Sequence, residues 1–420
     1  SAETYIARLI AKGYKVAICE QTEDPALAKG LVQRDVIRII TPGTVTESSM
    51  LDEHRSNYIS AVYLNNGHAG VAFCDVSTGE FCCAGFDGDA VSHVINELGR
   101  FTPREVVLSM GAEENSAITE FVSSKLGAMP EHGGDKFEYL QAAELVCRQF
   151  GFEDVDKAGL GGESAAVCAV GALLAYIIET QKFDLSHINH LDIFYSGRYM
   201  ELDWTTRRNL ELTETLRSGE KRGSLLWVLD KTKTPMGGRL LRSWVERPLL
   251  SVIAIKRRLT AVSELYNDTV DRSELTLVMR EISDMERLAA RCVYGTAGGR
   301  DLRMLANCAG QLPRLKELLA GFKSLELRDI CAMDALDDIR AQIDRAICDE
   351  PPFSVREGGI LREGYSEEVD KLRNIRDNGT QMVTELEQRE RQRTGIKKLK
   401  VGYNKVFGYY IDVPNSAGAV

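Results

Sequence analysis

The sequence predicts two regimes in succession: an α/β first part, then an all-α part that closes on a long charged helix and a short β-module. Three observations carry this. In the first part, apolar residues recur with period two in short runs separated by turn residues. Beyond about Asp192 they recur at helical spacing. The stretch KLKVGYNKVFGYYIDVP, Lys398–Pro414, then returns to period two directly after a long charged helical run. With 420 residues, 44% of them hydrophobic, the chain can bury real cores and has room for several domains.

A helix around Ala2–Ala11 leads into a strand at Lys15–Glu20. A loop holding Asp24-Pro25 follows, then a strand at Asp35–Ile40 closed by Thr41-Pro42-Gly43. So few elements make a poor core, so this segment reads as the tail of a domain. From Asn57 the pattern becomes hairpin-like: Tyr58–Leu64, a turn at Asn65-Asn66-Gly67, Ala69–Val76, a turn near Ser77-Thr78-Gly79, then Glu80–Phe86. Asn-Gly between alternating runs is a strong hairpin signal because both residues tolerate positive φ. A helix near Ala90–Leu98, a buried strand Glu105–Leu108 and a helix Ser164–Thr180 complete an α/β domain. Three antiparallel strands followed by alternating helices and strands resemble the ribonuclease H-like arrangement.

Past Asp192 strands give way to amphipathic helices. Thr234-Pro235 is a start signal, a capping hydroxyl followed by proline in the first turn. Its helix carries Leu240, Leu241, Trp244 and Val245 and ends before Pro248. Ser251 caps the next, with Ile255, Leu259, Val262 and Tyr266 on one stripe. Leu275, Val278, Ile282, Met285 and Leu288 mark a third, stopped at Gly295. The last helix, about Tyr365 to Arg393, has only a narrow stripe of Val369, Leu372, Ile375, Met382 and Leu386. At 1.5 Å per residue it would run on the order of 40 Å. It reads as a lever leaning on one neighbour, with exposed apolar surface along it, carrying a basic β-module at its tip.

Charge is uneven. The chain is acidic, at −10, yet Arg198–Arg258 holds 14 basic against 7 acidic residues, and Gln388–Lys405 holds 7 against 1. Basic segments on an acidic body suggest polyanion contact confined to particular surfaces; a solvated charged face is the plainer reading of charge alone. Ten cysteines without a CxxC pair, mostly among apolar neighbours, read as reduced core residues. His187 and His190 have no accompanying ligand pattern for a metal. No signal peptide is visible, and the longest apolar run, Ala165–Ile178, is too short to span a bilayer, so no membrane partner and a cytoplasmic location are expected.

Catalytic patterns are lacking. Asp75 and Glu80 sit where nucleases of this fold place metal-binding carboxylates, but no converging third acid accompanies them. The phosphate loop GxxxxGK[ST] needs a Gly-Lys dipeptide, which the chain does not contain. Gly237-Gly238-Arg239 and Gly298-Gly299-Arg300 read as close helix packing or helix entry. The chain reads as a binding and transmission body, with no cofactor of its own.

Several stretches together resemble the MutS family of DNA mismatch-recognition proteins. They are YKVAICEQTEDP (Tyr14–Pro25) with VIRIITPGT (Val36–Thr44), TRRNLEL (Thr206–Leu212) with LDKTKTPMGGRLLRSWVERPL (Leu229–Leu249), and RERQRTGIKKLKVGYNKVFGYYIDV (Arg389–Val413). They occur in the family's order and span nearly the whole chain. The resemblance implies an α/β N-terminal part, with residues 1–53 as the end of the mismatch-binding domain and 54–190 as a ribonuclease H-like connector. It implies an all-α core with its lever over 191–393, and the beginning of a β clamp over 394–420. It also implies that the family's Phe-x-Glu wedge lies before Ser1 and its ATPase domain beyond Val420, so ATP and Mg belong to the complete protein.

The implied partners are double-stranded DNA with mispairs or small loops, a second MutS subunit as a homodimer, and a MutL-like protein reached through the connector. A bacterial, nucleoid-associated use follows from the same resemblance. Lys397, Lys398, Lys400, Asn404 and Lys405 are the backbone-contact candidates at the clamp root, and Lys29 and Arg34 flank the loop of the first domain. Tyr403, Phe407 and Tyr409 are expected in the hairpin's core, and Arg207 and Arg208 in interdomain salt bridges. Two other readings stay open: a MutS-like paralogue acting in recombination, and a helical scaffold carrying a degenerate ribonuclease H-like domain.

Overall fold

The computed structural model describes residues 2–23, 30–194, 197, 199–406 and 408–414. They form two compact units, 1–341 and 342–420.

The first unit begins with a helix, Glu3–Ile10, and an antiparallel pair, β1 (Val16–Gln21) and β2 (Arg34–Ile40). No residue of this helix is buried. The segment after β2 is different, because Thr41 and Thr44 are buried against the following domain.

That domain is a six-stranded sheet in the order β7-β6-β3-β4-β5-β8. Its strands are β3 (Ile59–Asn65), β4 (His68–Asp75), β5 (Glu80–Asp87), β6 (Glu105–Leu108), β7 (Met129–His132) and β8 (Asp192–Ile193). The meander β3-β4-β5 is antiparallel, as the pattern predicts, and β6, β7 and β8 join in parallel, in keeping with a ribonuclease H-like arrangement. Asn66 and Gly67 both take positive φ, 49° and 83°, the backbone a two-residue hairpin needs.

Period two sorts the side chains into two cores. Ile59, Ala61, Ala72, Cys74, Phe81 and Cys83 face the helix Ser164–Gln181. Val62, Val71, Phe73, Cys82 and Ala84 face the helix Ala90–Phe101, where Phe73 stacks on Phe101 at 3.9 Å. The helix Ser164–Gln181 is long and apolar enough to cross a membrane by length and composition, but 78% of it is buried inside the protein. It approaches so closely that a Cβ on Gly70 would stand 1.9 Å from the Ala165 carbonyl oxygen. On its other side Gly171 meets Ala142 of the helix Tyr139–Phe150 at 2.3 Å by the same measure.

The pattern misses β7, β8 and the helix Tyr139–Phe150. The two strands are four residues and two residues long, too short for alternation to register.

The helical part follows its caps. Thr234 accepts from the Gly237 amide ahead of Pro235–Glu246, and Ser251 accepts from the Ala254 amide ahead of Val252–Asn267. Gly298 opens the helix Gly299–Leu319, its amide donating to Asp301 at 2.8 Å, and Gly238 packs closely on His54. Two expectations need correction. The third apolar stripe is two helices, Thr269–Arg280 and Met285–Val293, because Asp284 breaks the run and caps the second on the Arg287 amide. On Val252–Asn267 the predicted stripe faces outward, with Leu259, Val262 and Tyr266 at 59%, 60% and 74% exposure. The helix instead buries Ala261, whose small side chain lets Leu275, Leu318 and Leu327 close on it.

In the second unit, the lever helix spans Glu367–Thr394, on the order of 40 Å by helical rise. Leu372, Ile375, Met382 and Leu386 remain exposed along it. The antiparallel pair β9 (Lys400–Asn404) and β10 (Gly408–Asp412) follows.

Candidate nucleic-acid interface

The lever builds its tip from local rules. Ser366 caps the start and acceptor-rich Glu367, Glu368 and Asp370 fill the first turn, matching the positive end of the helix dipole. Gly395 ends the helix at φ 70°, a left-handed conformation that glycine adopts without a Cβ penalty. The chain then folds back. Arg391 pairs with Glu387 and donates to the Leu399 carbonyl at 2.8 Å, while Glu387 accepts from the Val401 amide at 3.0 Å. Leu399 is buried between them. These contacts fasten the hairpin to the helix end.

The positive charge divides into two kinds. Arg391 and Arg393 are neutralised by Glu387 and Glu390. Lys397, Lys398, Lys400 and Lys405 are exposed, and among the described residues none of them joins an ion pair. They occupy the turn after the helix, the start of β9 and the hairpin turn. Asn404 is committed locally, its Oδ1 accepting from the Val406 amide at 2.7 Å across the turn.

The aromatic residues depart from expectation. Tyr403 and Tyr409 are cross-strand partners with ring centroids 5.1 Å apart, yet they are 63% and 67% exposed. A two-stranded ribbon has no second layer against which to bury that face. On the opposite face Tyr410 lies over Gly402, where a Cβ would come within 2.8 Å of the ring. Phe407 and Lys29 lie outside the described residues. Arg34 is exposed at the start of β2, paired in register with Gln21, and belongs to the other unit.

The carboxylates weighed for metal chemistry are structural. Asp75 is fully buried and accepts from the Ser77 amide and hydroxyl and from the Asn57 amide. Glu80 accepts from the Tyr58 hydroxyl at 2.7 Å. Among the described residues no group of three or more His, Cys, Asp or Glu could hold a metal ion. His187 is shared between the Val76 carbonyl and the Tyr294 hydroxyl. All ten cysteines are free, and Cys74, Cys82, Cys83, Cys168 and Cys308 are buried.

Sequence reasoning misses the buried ionic anchors of the first unit. Glu105 accepts from Thr41, from Tyr176 at 2.5 Å and from the Gly43 amide at 3.2 Å, which ties the segment after β2 to the sheet. Arg287 donates to the Asp52 and Arg55 carbonyls, each at 2.9 Å, and to Ser77 at 3.2 Å. Arg239 spans the Glu53 carbonyl, Asp284 and Glu286. Arg207 does reach the sheet domain, but through the Asn96 carbonyl at 2.6 Å rather than a salt bridge, and Arg208 lies over the Trp204 ring. No signal in a single sequence distinguishes such arginines from solvated ones.

Comparison with known proteins adds the lineage. Family models of MutS match in chain order: domain I over residues 1–49, domain II over 57–189 and domain III over 205–399. DNA mismatch repair protein MutS of Acetivibrio thermocellus is 46% identical over 421 residues, 99% of this chain and 48% of that protein. The protein of the same name from Symbiobacterium thermophilum is 46% identical over 417 residues, covering 98% of this chain and 47% of its own length. That of Ruminiclostridium cellulolyticum is 43% identical over 420 residues. The chain spans about half the length of the curated relatives it matches.

Proposed function

The chain belongs to the MutS family, and from that premise we propose that it forms the connector, core and lever of a mismatch-repair protein whose hairpin tip grips the phosphate backbone of duplex DNA. The single observation that carries the backbone contact is the set of four exposed, unpaired lysines on the turn and ribbon that Arg391 and Glu387 fasten to the lever. Lysines so placed release counterions on binding phosphate and carry no sequence information. In the complete protein, DNA binding is coupled to ATP and Mg, a second subunit of the same kind closes around mispaired DNA, and a MutL-like protein is met through the connector, in the cytoplasm. Domain limits near residues 53, 190 and 393 accompany this reading.

Fluorescence anisotropy of this chain with labelled duplex, with and without one mispair, tests it across a salt titration. The expected result is weak binding, indifferent to the mispair, with log K falling against log salt by about 0.9 per phosphate contact. Replacing Lys397, Lys398, Lys400 and Lys405 together by Gln should flatten that slope by about 3.6. An unchanged slope in the fourfold variant sinks the assignment of these lysines.

A further inference from the structure

A cavity of about 540 Å³ in the first unit lies between the sheet domain and the helices that follow it. Six cations line it: Arg55 from the linker, Arg104 and Lys125 from the sheet domain, and Arg207, Arg208 and Arg242 from the helices. Only two carboxylates, Glu214 and Glu246, share the lining. Glu214 pairs with Arg55 at 2.9 Å. Arg242 has its nearest carboxylates at 3.6 and 4.0 Å, beyond hydrogen-bond distance. Arg104 and Lys125 on one wall and Arg208 on the other are exposed and join no ion pair among the described residues.

Two of these cations also carry buried donors. Arg207 is 9% exposed, and its Nη1 finds no acceptor; the Nε of Arg242 is buried without one either. A buried guanidinium N–H without a partner forfeits its hydration and gains nothing in return. Like charges from two walls also repel each other across the cavity. The repulsion is relieved if an anion with several acceptor oxygens sits between the walls. A carboxylate carries a single charge; a diphosphate group has the charge and the number of oxygens to meet the exposed cations Arg104, Lys125 and Arg208.

We propose that this cavity binds a compact anion bearing a diphosphate group, which staples the sheet domain to the helical part. The proposal does not depend on the DNA contacts assigned to the hairpin, which lies in the other unit. Two sources share the chemistry, free pyrophosphate and the phosphates of a nucleoside diphosphate. The cavity is within the usual size range of small-ligand sites.

Isothermal titration calorimetry on the whole chain, with sodium pyrophosphate and with ADP as separate titrants at low salt, tests it. One saturable site is expected, accompanied by a rise in melting temperature that grows with titrant concentration. Equal affinity for both titrants would assign the free diphosphate group as the determinant, and tighter ADP binding would make the nucleotide the ligand. The double variant Arg104→Gln/Lys125→Gln, which alters only exposed rim residues, should weaken binding about tenfold. Arg208→Gln, an exposed cation on the opposite wall, should weaken it as well.

Absence of saturable binding by either titrant overturns the proposal. So does binding that the rim double variant leaves unchanged. Displacement of pyrophosphate by duplex DNA, with duplex affinity falling in the rim variant, would reassign the cavity to a nucleic-acid backbone and overturn the small-anion reading.

Discussion

His187 shows how a single residue couples a contact to pH. Its Nε2 meets the Val76 carbonyl at 3.1 Å and the Tyr294 hydroxyl at 2.6 Å, while Nδ1 is buried with no partner. Burial lowers its pKa, against a smaller upward pull from that carbonyl and from Asp184 and Asp75. The folded state therefore binds the proton less readily than the unfolded chain, whose imidazole titrates near its ordinary value of about 6.5. Stability should be fully present above that value and be lost as pH falls through it. Differential scanning calorimetry between about pH 5 and 8 should show the decline, and His187→Gln, which keeps a donor for Val76, should remove most of it. A decline of the same size in the variant would place the titrating group elsewhere.

At the scale of elements, the helix Ser164–Gln181 is held by absent side chains as much as by present ones. Gly70 on β4 and Gly171 on the helix leave room for the Ala165 backbone and for Ala142 respectively. A methyl at either place meets backbone or a neighbouring helix well inside contact distance, and backbone cannot swing aside as an exposed side chain can. Gly70→Ala should cost about 3 kcal/mol or more, and Gly171→Ala a comparable amount, read as a lowered urea midpoint with little change in slope. Gly402→Ala on the hairpin is the control. There the obstacle is the half-exposed Tyr410 ring, which can rotate away, so the cost should stay within about 1 kcal/mol. Equal effects at all three positions would mean that helix-to-sheet spacing is not what these glycines protect.

At the scale of the whole molecule, the chain combines net acidity with local cation clusters and leaves apolar stripes on its surface. The lever stripe of Leu372, Ile375, Met382 and Leu386 is exposed. A contiguous apolar stripe on a long helix favours association. Sedimentation velocity should show concentration-dependent self-association that Leu372→Gln/Ile375→Gln diminishes, while the melting temperature stays within about 2 °C because neither side chain is buried. A monomer at all concentrations, or association unchanged in the variant, would show that the stripe is not the contact.

What was legible in the sequence is local. The Asn-Gly hairpin, the Thr234 and Ser251 caps, the long charged helix and the basic ribbon each follow from side chains acting on their own backbone. The ordered motifs, running from Tyr14 to Val413, were enough to place the chain in its family. Tertiary structure decided which face of an amphipathic helix is buried, as Ala261 rather than Leu259 and Val262 shows. It decided that Asp284 splits one apparent stripe into two helices and that Arg391 fastens the hairpin while the lysines beside it stay free. It also decided which arginines are buried. Burial and pairing depend on residues far apart in the chain, such as Arg287 with Asp52 and Ser77, and periodicity along one segment contains no information about them.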